Sequence, residues 1–162
     1  MTSKEFSAIV DEHYEGLYRF ACSLTGNQPD GADLVQQTFL IWAKKHWQLR
    51  DKSKTKTWLF TTLRREFLRG HKRRAKMFAE TEENNPANEG VVQADQDQHL
   101  DATLVLEKMN QLPLEYREPL CLFYLKEFSY QEIAELLEVP IGTIMSRLSR
   151  AKKQLRHKLD HA

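Results

Sequence analysis

The sequence predicts an all-α protein: two small helical domains joined by a flexible acidic linker, the C-terminal domain containing a helix-turn-helix. Apolar residues recur every three or four positions in residues 6–67 and again in the last third of the chain, which is the spacing of one helix face. Between these stretches, residues 77–101 contain seven acidic residues and no basic one. We therefore expect domains at 1–76 and 102–162 and a linker at 77–101.

Three helices are predicted in residues 1–76, where no strand alternation competes. The first ends at Gly26, a typical C-terminal stop, and its apolar face comprises Phe6, Ile9, Val10, His13, Tyr14, Leu17, Phe20, Ala21 and Leu24. Asp30 is expected to cap the second helix. The predicted buried face of this helix comprises Leu34, Val35, Thr38, Phe39 and Trp42, and a different face carries Asp33, Gln36 and Gln37. The third begins near Lys56 and directs inward Trp58, Leu59, Leu63 and Phe67.

The third helix lies in a strongly basic segment. Residues 50–76 hold 11 Lys and Arg against two acids, interleaved with Trp58, Phe60 and Phe67. Basic charge attracts phosphates without regard to base sequence, whereas an aromatic ring beside a polar loop can stack on an exposed base. Trp58 by itself fits an ordinary core position better. The charge density around it nevertheless predicts a polyanionic partner.

The net charge of +1 conceals a segregation of charge along the chain. The formal charge is +7 for residues 1–76, −7 for residues 77–101 and +1 for the remainder. The middle segment is too polar to bury a core of its own, so we interpret it as a linker. Its acidity either keeps the chain soluble or imitates nucleic acid in a positively charged channel.

The helix-turn-helix is predicted at residues 129–152. Ser129 and Glu132 form a capping box, Glu138-Val139 suits only a tight turn, and Pro140 suits the first turn of the next helix. That helix has a predicted buried stripe of Ile141, Ile144, Leu148, Ala151 and Leu155. The side chains pointing elsewhere suit a recognition helix in a major groove: Thr143, Ser146, Arg147, Ser149, Arg150 and Lys153.

A basic amphipathic helix can also be a solvated surface whose charges match the helix dipole. Such a surface usually mixes both signs of charge. Residues 147–158 instead hold six Lys and Arg and no acid, which favours DNA binding.

Several classes of function are not expected. No apolar run approaches the roughly 20 residues of a membrane span, and no signal peptide is recognised at the N-terminus, so we expect a cytoplasmic protein without membrane insertion. Cys22 and Cys121 fit reduced core positions, and the six histidines are scattered singly, so neither a metal site nor a cofactor is predicted. An enzyme is not expected, because the chain lacks a glycine-rich phosphate loop, paired carboxylates in apolar context and a nucleophile with a spaced histidine.

The order and spacing of short motifs identify a family. LYRFA at 17–21 and DLVQQTF at 33–39 resemble the first half of sigma region two, and residues 58–74 resemble its promoter-recognition half. Four further motifs resemble sigma region four: Leu112-Pro113, YRE at 116–118, SYQEIA at 129–134 and GTIMSRLSRA at 142–151. The chain thus resembles a minimal extracytoplasmic-function (ECF) sigma factor of the sigma-70 family, with regions two and four only.

The resemblance implies a partner, bacterial core RNA polymerase, which would be directed to promoters and would itself perform catalysis. Contacts with the clamp helices of the largest subunit and with the flap are implied. The clamp-binding candidates are Asp33, Gln36, Gln37 and Phe39. An anti-sigma factor is a further candidate partner, because members of the family are commonly restrained by one.

Two promoter elements are implied as ligands. Region two would melt the minus-ten element, and its loop at 51–57 would receive a flipped base. The residues implied to contact this DNA are Lys54, Lys56, Trp58, Arg64, Arg65, Lys72 and Arg73. Region four would bind the minus-thirty-five element as duplex through Tyr130, Thr143, Met145, Ser146, Arg147, Ser149, Arg150 and Lys153. Among these, Met145 could contact a thymine methyl group.

One departure from the family concerns the clamp-binding helix. Relatives often carry a denser acidic cluster there, whereas this chain has Gly31, Ala32 and Gln37 around Asp33. One hypothesis is that phosphorylation of Thr38 restores the negative charge. The alternative is that Thr38 packs on a helix face.

A conventional helix-turn-helix regulator is the alternative function. Residues 1–76 would then be a module for partner binding or dimerisation. The basic segment at 50–76 argues against this, because a dimerisation face rarely needs so much positive charge.

Overall fold

The computed structural model describes residues 1–81 and 100–161, with side chains described within 1–77 and 104–161. These residues form seven α-helices and two short 3-10 helices, without a strand, which confirms the all-α prediction. The chain divides into two compact units. Most of the predicted linker, residues 82–99, lies outside the described residues, whereas its ends at 77–81 and 100–101 are helical rather than linker.

The first unit is built on three helices that pack pairwise: α1 (Ser3–Thr25), α2 (Gln28–Lys45) and α3 (Thr55–Thr81). Short 3-10 helices at His46–Gln48 and Lys52–Lys54 connect α2 to α3. The apolar faces meet in a core whose fully buried members are Leu17, Phe20, Ala21, Val35, Leu59, Phe60 and Leu63. Thus the helical spacing seen in the sequence does predict the core faces.

The ends of α1 and α2 partly differ from expectation. Gly26 has a left-handed φ of 81° and donates to the Cys22 carbonyl, so the predicted stop of α1 is confirmed. The predicted cap of α2 is wrong: Asn27 is the N-cap and Asp30 lies in the first turn. Tyr14, expected on the apolar face of α1, is 44% exposed, and its ring stacks on Tyr18.

The second unit places three helices against the last one. These are α4 (Leu100–Asn110), α5 (Leu114–Tyr124) and α6 (Tyr130–Leu137), and each contacts α7 (Ile141–Asp160). The core around α7 contains Leu120, Leu122, Ile133, Ile144, Leu148, Ala151 and Leu155. Because α7 contacts all three neighbours, its outer face is held in a fixed relation to the start of α6.

The ends of α6 and the start of α7 are defined by their capping residues. The predicted capping box is confirmed, with Glu132 N–H donating to Ser129 Oγ at 3.1 Å and Ser129 N–H donating to Glu132 Oε1 at 2.9 Å. Glu138 adopts a left-handed φ of 59°, and Pro140 is the N-cap of α7. The predicted buried stripe of α7 holds except at Ile141, which is 42% exposed.

Both cysteines are free thiols, as predicted. Cys121 is buried, whereas Cys22 is half-buried and lies against α2. Desolvation raises the pKa of Cys22, and a hydrogen bond with Tyr18 only partly opposes this effect. The Cys22 thiol is therefore protonated at neutral pH and packs as a small side chain between α1 and α2.

Candidate nucleic-acid interface

The outer face of α7 displays the predicted DNA contacts. Its five exposed members are Met145, Ser146, Ser149, Arg150 and Lys153, whereas Thr143 and Arg147 are partly exposed. They lie off the buried stripe because buried positions recur at helical spacing and leave the other face to solvent. Ser146 Oγ also donates to the Thr143 carbonyl at 3.1 Å, which fixes the orientation of its hydroxyl.

An open groove of about 440 Å³ runs between the first residue of α6 and the side of α7. It brings together four of the predicted residues, Tyr130, Met145, Ser149 and Lys153. Thr143, Ser146, Arg147 and Arg150 do not line it. The groove also contains Leu148, Lys152 and Arg156.

Lys152 and Arg156 were not among the predicted contacts. The acid-free stretch of residues 147–158 was the signal that could have included them. Three cations therefore share this groove with the ring of Tyr130, a combination that suits a polyanion bearing planar groups.

The basic residues of the first unit are concentrated on α3. Arg65, Lys72 and Arg73 are exposed there, Arg64 and Lys56 are partly exposed, and Lys54 is exposed in the preceding 3-10 helix. Since the buried positions of α3 are Leu59, Phe60 and Leu63, the cations occupy its outward faces. This arrangement gives a positively charged surface that follows the helix axis.

The aromatic residues near α3 have distinct environments. Phe60 is fully buried and is tilted against Phe20, so it is unavailable to a ligand. Trp58 is half-buried, and its ring packs edge-on against Trp42 with the centroids 5.1 Å apart. Trp58 therefore packs partly against the core and is partly exposed.

The loop before α3 is short and internally hydrogen-bonded. Asp51 Oδ1 accepts from the Ser53 amide at 3.0 Å and from the Ser53 hydroxyl at 2.6 Å. These hydrogen bonds lower the pKa of Asp51. The predicted base-receiving segment at 51–57 is thus one 3-10 turn followed by the first turn of α3.

The outer face of α2 carries three of the four predicted polymerase contacts. Asp33, Gln36 and Gln37 are exposed, whereas Phe39 is only 7% exposed and packs edge-on against Phe6. The prediction that Phe39 contacts the polymerase directly is therefore corrected: Phe39 packs within the first unit. Leu40 was missed: it follows Gln36 and Gln37 at helical spacing and is 56% exposed.

Two positions within α2 have no room for an acidic side chain. Thr38 is fully buried, and its hydroxyl donates to the Leu34 carbonyl at 2.8 Å. The phosphorylation hypothesis for Thr38 is therefore wrong, and the packing alternative is correct. At Gly31, an added Cβ would lie 2.7 Å from Cys22 Sγ and 3.1 Å from Cys22 N, so an acidic side chain has no room there.

In the described part of the chain, no group of three or more His, Cys, Asp and Glu side chains is placed to hold a metal ion. Within the same residues, none of the helices combines the length and the apolar character needed to cross a bilayer.

Comparison with known proteins identifies both units. The family model of Sigma-70 region 2 matches residues 9–77, and that of Sigma-70 region 4 matches residues 102–155. The chain is 32% identical over 154 residues to the ECF RNA polymerase sigma factor SigM of Bacillus subtilis, covering 91% of this chain and 93% of SigM. It is 33% identical over 139 residues to the ECF RNA polymerase sigma factor EcfG of Rhodopseudomonas palustris, covering 86% of this chain and 76% of EcfG.

A solved structure agrees with these relatives. The sigma factor RpoE of Bartonella quintana, in a complex with the anti-sigma factor NepR, matches with a TM-score of 0.85 and 30% identity, covering 97% of this chain and 98% of RpoE. The alternative of a conventional regulator is not favoured, because the first unit matches sigma region 2. Sigma factors are non-catalytic initiation factors that act with core RNA polymerase at promoters. The chain belongs to the ECF sigma factors of the sigma-70 family.

Proposed function

We propose that this sigma factor binds the clamp helices of the largest polymerase subunit through α2 and two promoter elements through α3 and α7. The main support for this proposal is the exposed face of α2, where Leu40 continues the row of Asp33, Gln36 and Gln37. An apolar centre within a polar rim is the usual composition of a protein–protein interface. Phe39 supports this face from below by packing on Phe6.

The basic surface of α3 is proposed to hold the opened minus-ten element. Lys54, Lys56, Arg64, Arg65, Lys72 and Arg73 would neutralise the DNA backbone there. Trp58, which packs against Trp42 but is only half-buried, would stack on an unpaired base. The loop at 51–57 would receive a flipped base, whose unstacking cost must be offset by a fitted pocket.

The outer face of α7 is proposed to bind the minus-thirty-five element as duplex. Ser146, Ser149 and Arg150 would contact base edges, and Met145 would contact a thymine methyl group. Arg147, Lys153 and the start of α6 at Tyr130 would contact phosphates. Thr143 lies at the edge of the same surface.

The proposed domains are residues 1–76 for polymerase and minus-ten binding and residues 102–162 for minus-thirty-five binding, with 77–101 as the acidic linker. The second domain is also proposed to contact the polymerase flap. We extend the anti-sigma partnership of RpoE to this chain as a proposal. Core polymerase as a partner implies that the chain acts in the bacterial cytoplasm.

The test is run-off transcription with purified bacterial core polymerase and a library of promoter fragments, with this protein present or absent. We expect specific initiation from a subset of templates only when the protein is present. Binding to duplex DNA without polymerase association or initiation would contradict the proposal.

A pair of matched variants tests the α2 surface. Leu40 and Leu106 are exposed leucines, 56% and 51% accessible, in different units. Leu40→Asp should weaken association with core polymerase by about tenfold or more, since it places a charge in an apolar contact. Leu106→Asp should leave it unchanged. Equal losses for the two variants would exclude a specific role for Leu40.

A further inference from the structure

Two neighbouring lysines of α7 lie in different environments. Both line the groove beside Tyr130, where Lys153 is exposed. Lys152 is half-buried, and its Nζ lies 3.9 Å from the centroid of the Phe123 ring. This distance is well within the range of a cation–π interaction, so the ammonium of Lys152 already has a favourable electrostatic contact within the protein.

The ring beneath Lys152 connects α5 to α6. Phe123 lies in the last turn of α5 and stacks on Tyr130, with the centroids 5.9 Å apart and the planes inclined by 22°. Tyr130 is the first residue of α6, and its ring lines the groove. Lys152, Phe123 and Tyr130 therefore join α7, α5 and α6 at the groove.

We propose that Lys152 is a positioning residue for promoter binding. Its ammonium holds the Phe123 and Tyr130 rings in place, and the ring stack fixes the start of α6 relative to α7. The phosphate contact at this edge of the surface is left to Lys153. This inference rests on the proposed binding of duplex DNA by α7.

The two lysines then differ in a way that salt dependence can resolve. A lysine that neutralises a phosphate releases a counterion, and its loss reduces the slope of log Kobs against log salt concentration by about 0.9. A lysine that only orders aromatic rings releases none. Its removal weakens the complex about equally at every salt concentration.

The experiment measures promoter affinity of the full chain assembled with core polymerase, using a fragment from which the wild type initiates. The variants are Lys152→Met, Lys152→Arg and Lys153→Met, because methionine keeps an apolar stem and removes the charge. We expect Lys152→Met to lose about two- to fivefold in affinity without a change in slope. Lys152→Arg, which keeps a cation over the ring, should bind like the wild type, and Lys153→Met should show the reduced slope.

Three results would overturn the inference. A slope for Lys152→Met reduced as much as that for Lys153→Met would mean that Lys152 contacts a phosphate. Wild-type affinity for Lys152→Met would show that the ring contact has no role in binding. Failure of Lys152→Arg to restore affinity would attribute the loss to packing rather than to the cation.

Failure of the proposed function gives a distinct result, absence of a specific promoter complex with the wild type itself. That outcome would remove the inference together with its premise. Thermal unfolding followed by circular dichroism checks that each variant retains the helical content of the wild type.

Discussion

Asn27 and Asp30 exchange two hydrogen bonds at the start of α2. The Asp30 amide donates to Asn27 Oδ1 at 2.8 Å, and Asn27 Nδ2 donates to Asp30 Oδ2 at 3.0 Å. Asn27 thus satisfies a backbone donor of the first turn, while the Asp30 carboxylate lies near the positive end of the helix dipole. Pro29, in the first turn, is compatible with a helix that begins at Gln28.

Replacement of Asn27 by alanine should destabilise the first unit. Loss of an N-cap hydrogen bond costs about 1 kcal/mol of the free energy of unfolding. Urea unfolding followed by tryptophan fluorescence measures this change selectively, because Trp42, Trp47 and Trp58 all lie in the first unit. Gln28→Ala is the control, since Gln28 is exposed beside the cap. Equal stability of the two variants would contradict the capping role.

Gly31 and Cys22 mark a close approach of α1 and α2. Because an added Cβ at Gly31 would lie 2.7 Å from Cys22 Sγ, Gly31→Ala should lower the free energy of unfolding by about 1–3 kcal/mol. The double variant Cys22→Ala with Gly31→Ala should recover part of that loss, since the sulfur is removed. The same unfolding experiment gives the coupling energy of the pair. Additive effects would show that the clash is with the Cys22 backbone alone.

The three helices of the first unit, the helix-turn-helix and most of their buried faces could be predicted from the sequence, since periodicity assigns a face to each helix without reference to its neighbours. Ile141 is an exception. Helical side chains lean toward the N-terminus, so the first residue of α7 projects beyond the packed turns. Phe39 lies on the predicted buried face of α2, and its assignment as a contact came from the resemblance alone.

Contacts between helices could not be predicted in this way. Spacing along one helix does not say which residue of another helix it meets. Two such contacts depend on helix packing and could be found only in the structure: the close approach of Gly31 to Cys22 and the cation–π contact of Lys152 with Phe123. The sequence alone suggested that Gly31 is part of a functional charge deficit, whereas the structure shows that a side chain has no room at this position.

A negative charge at position 38 should destabilise the first unit rather than strengthen polymerase binding. The Thr38 side chain is fully buried, so Thr38→Glu places an uncompensated carboxylate in the core and should cost about 3 kcal/mol or more of the free energy of unfolding. Thr38→Val loses only the hydrogen bond to the Leu34 carbonyl and should cost about 1 kcal/mol. Fluorescence-detected unfolding distinguishes them. Wild-type stability of Thr38→Glu would contradict the burial.

The Asp51 carboxylate should remain ionised at lower pH than an ordinary aspartate. Hydrogen bonds from the Ser53 side chain and backbone favour its charged form and lower its pKa. The stabilisation of this turn is therefore fully present above the ordinary pKa of aspartate and is lost as the pH falls through the lowered pKa of the folded protein. A carbon-detected NMR titration should show the Asp51 pKa rising toward its ordinary value in Ser53→Ala. An unchanged titration midpoint would argue against the contact.

Arg150 and Arg147 should make different contributions to promoter binding. Arg150 is exposed on the outer face of α7, where it is proposed to contact a base edge, whereas Arg147 is partly exposed and assigned to a phosphate. Loss of a bidentate base contact removes about 1–3 kcal/mol of discrimination at one base pair. Competition between promoters with single base-pair substitutions in the minus-thirty-five element should therefore show relaxed preference at one position for Arg150→Ala. Arg147→Ala should instead weaken all promoters about equally, because a phosphate carries no base identity. Uniform weakening by both variants would reassign Arg150 to the DNA backbone.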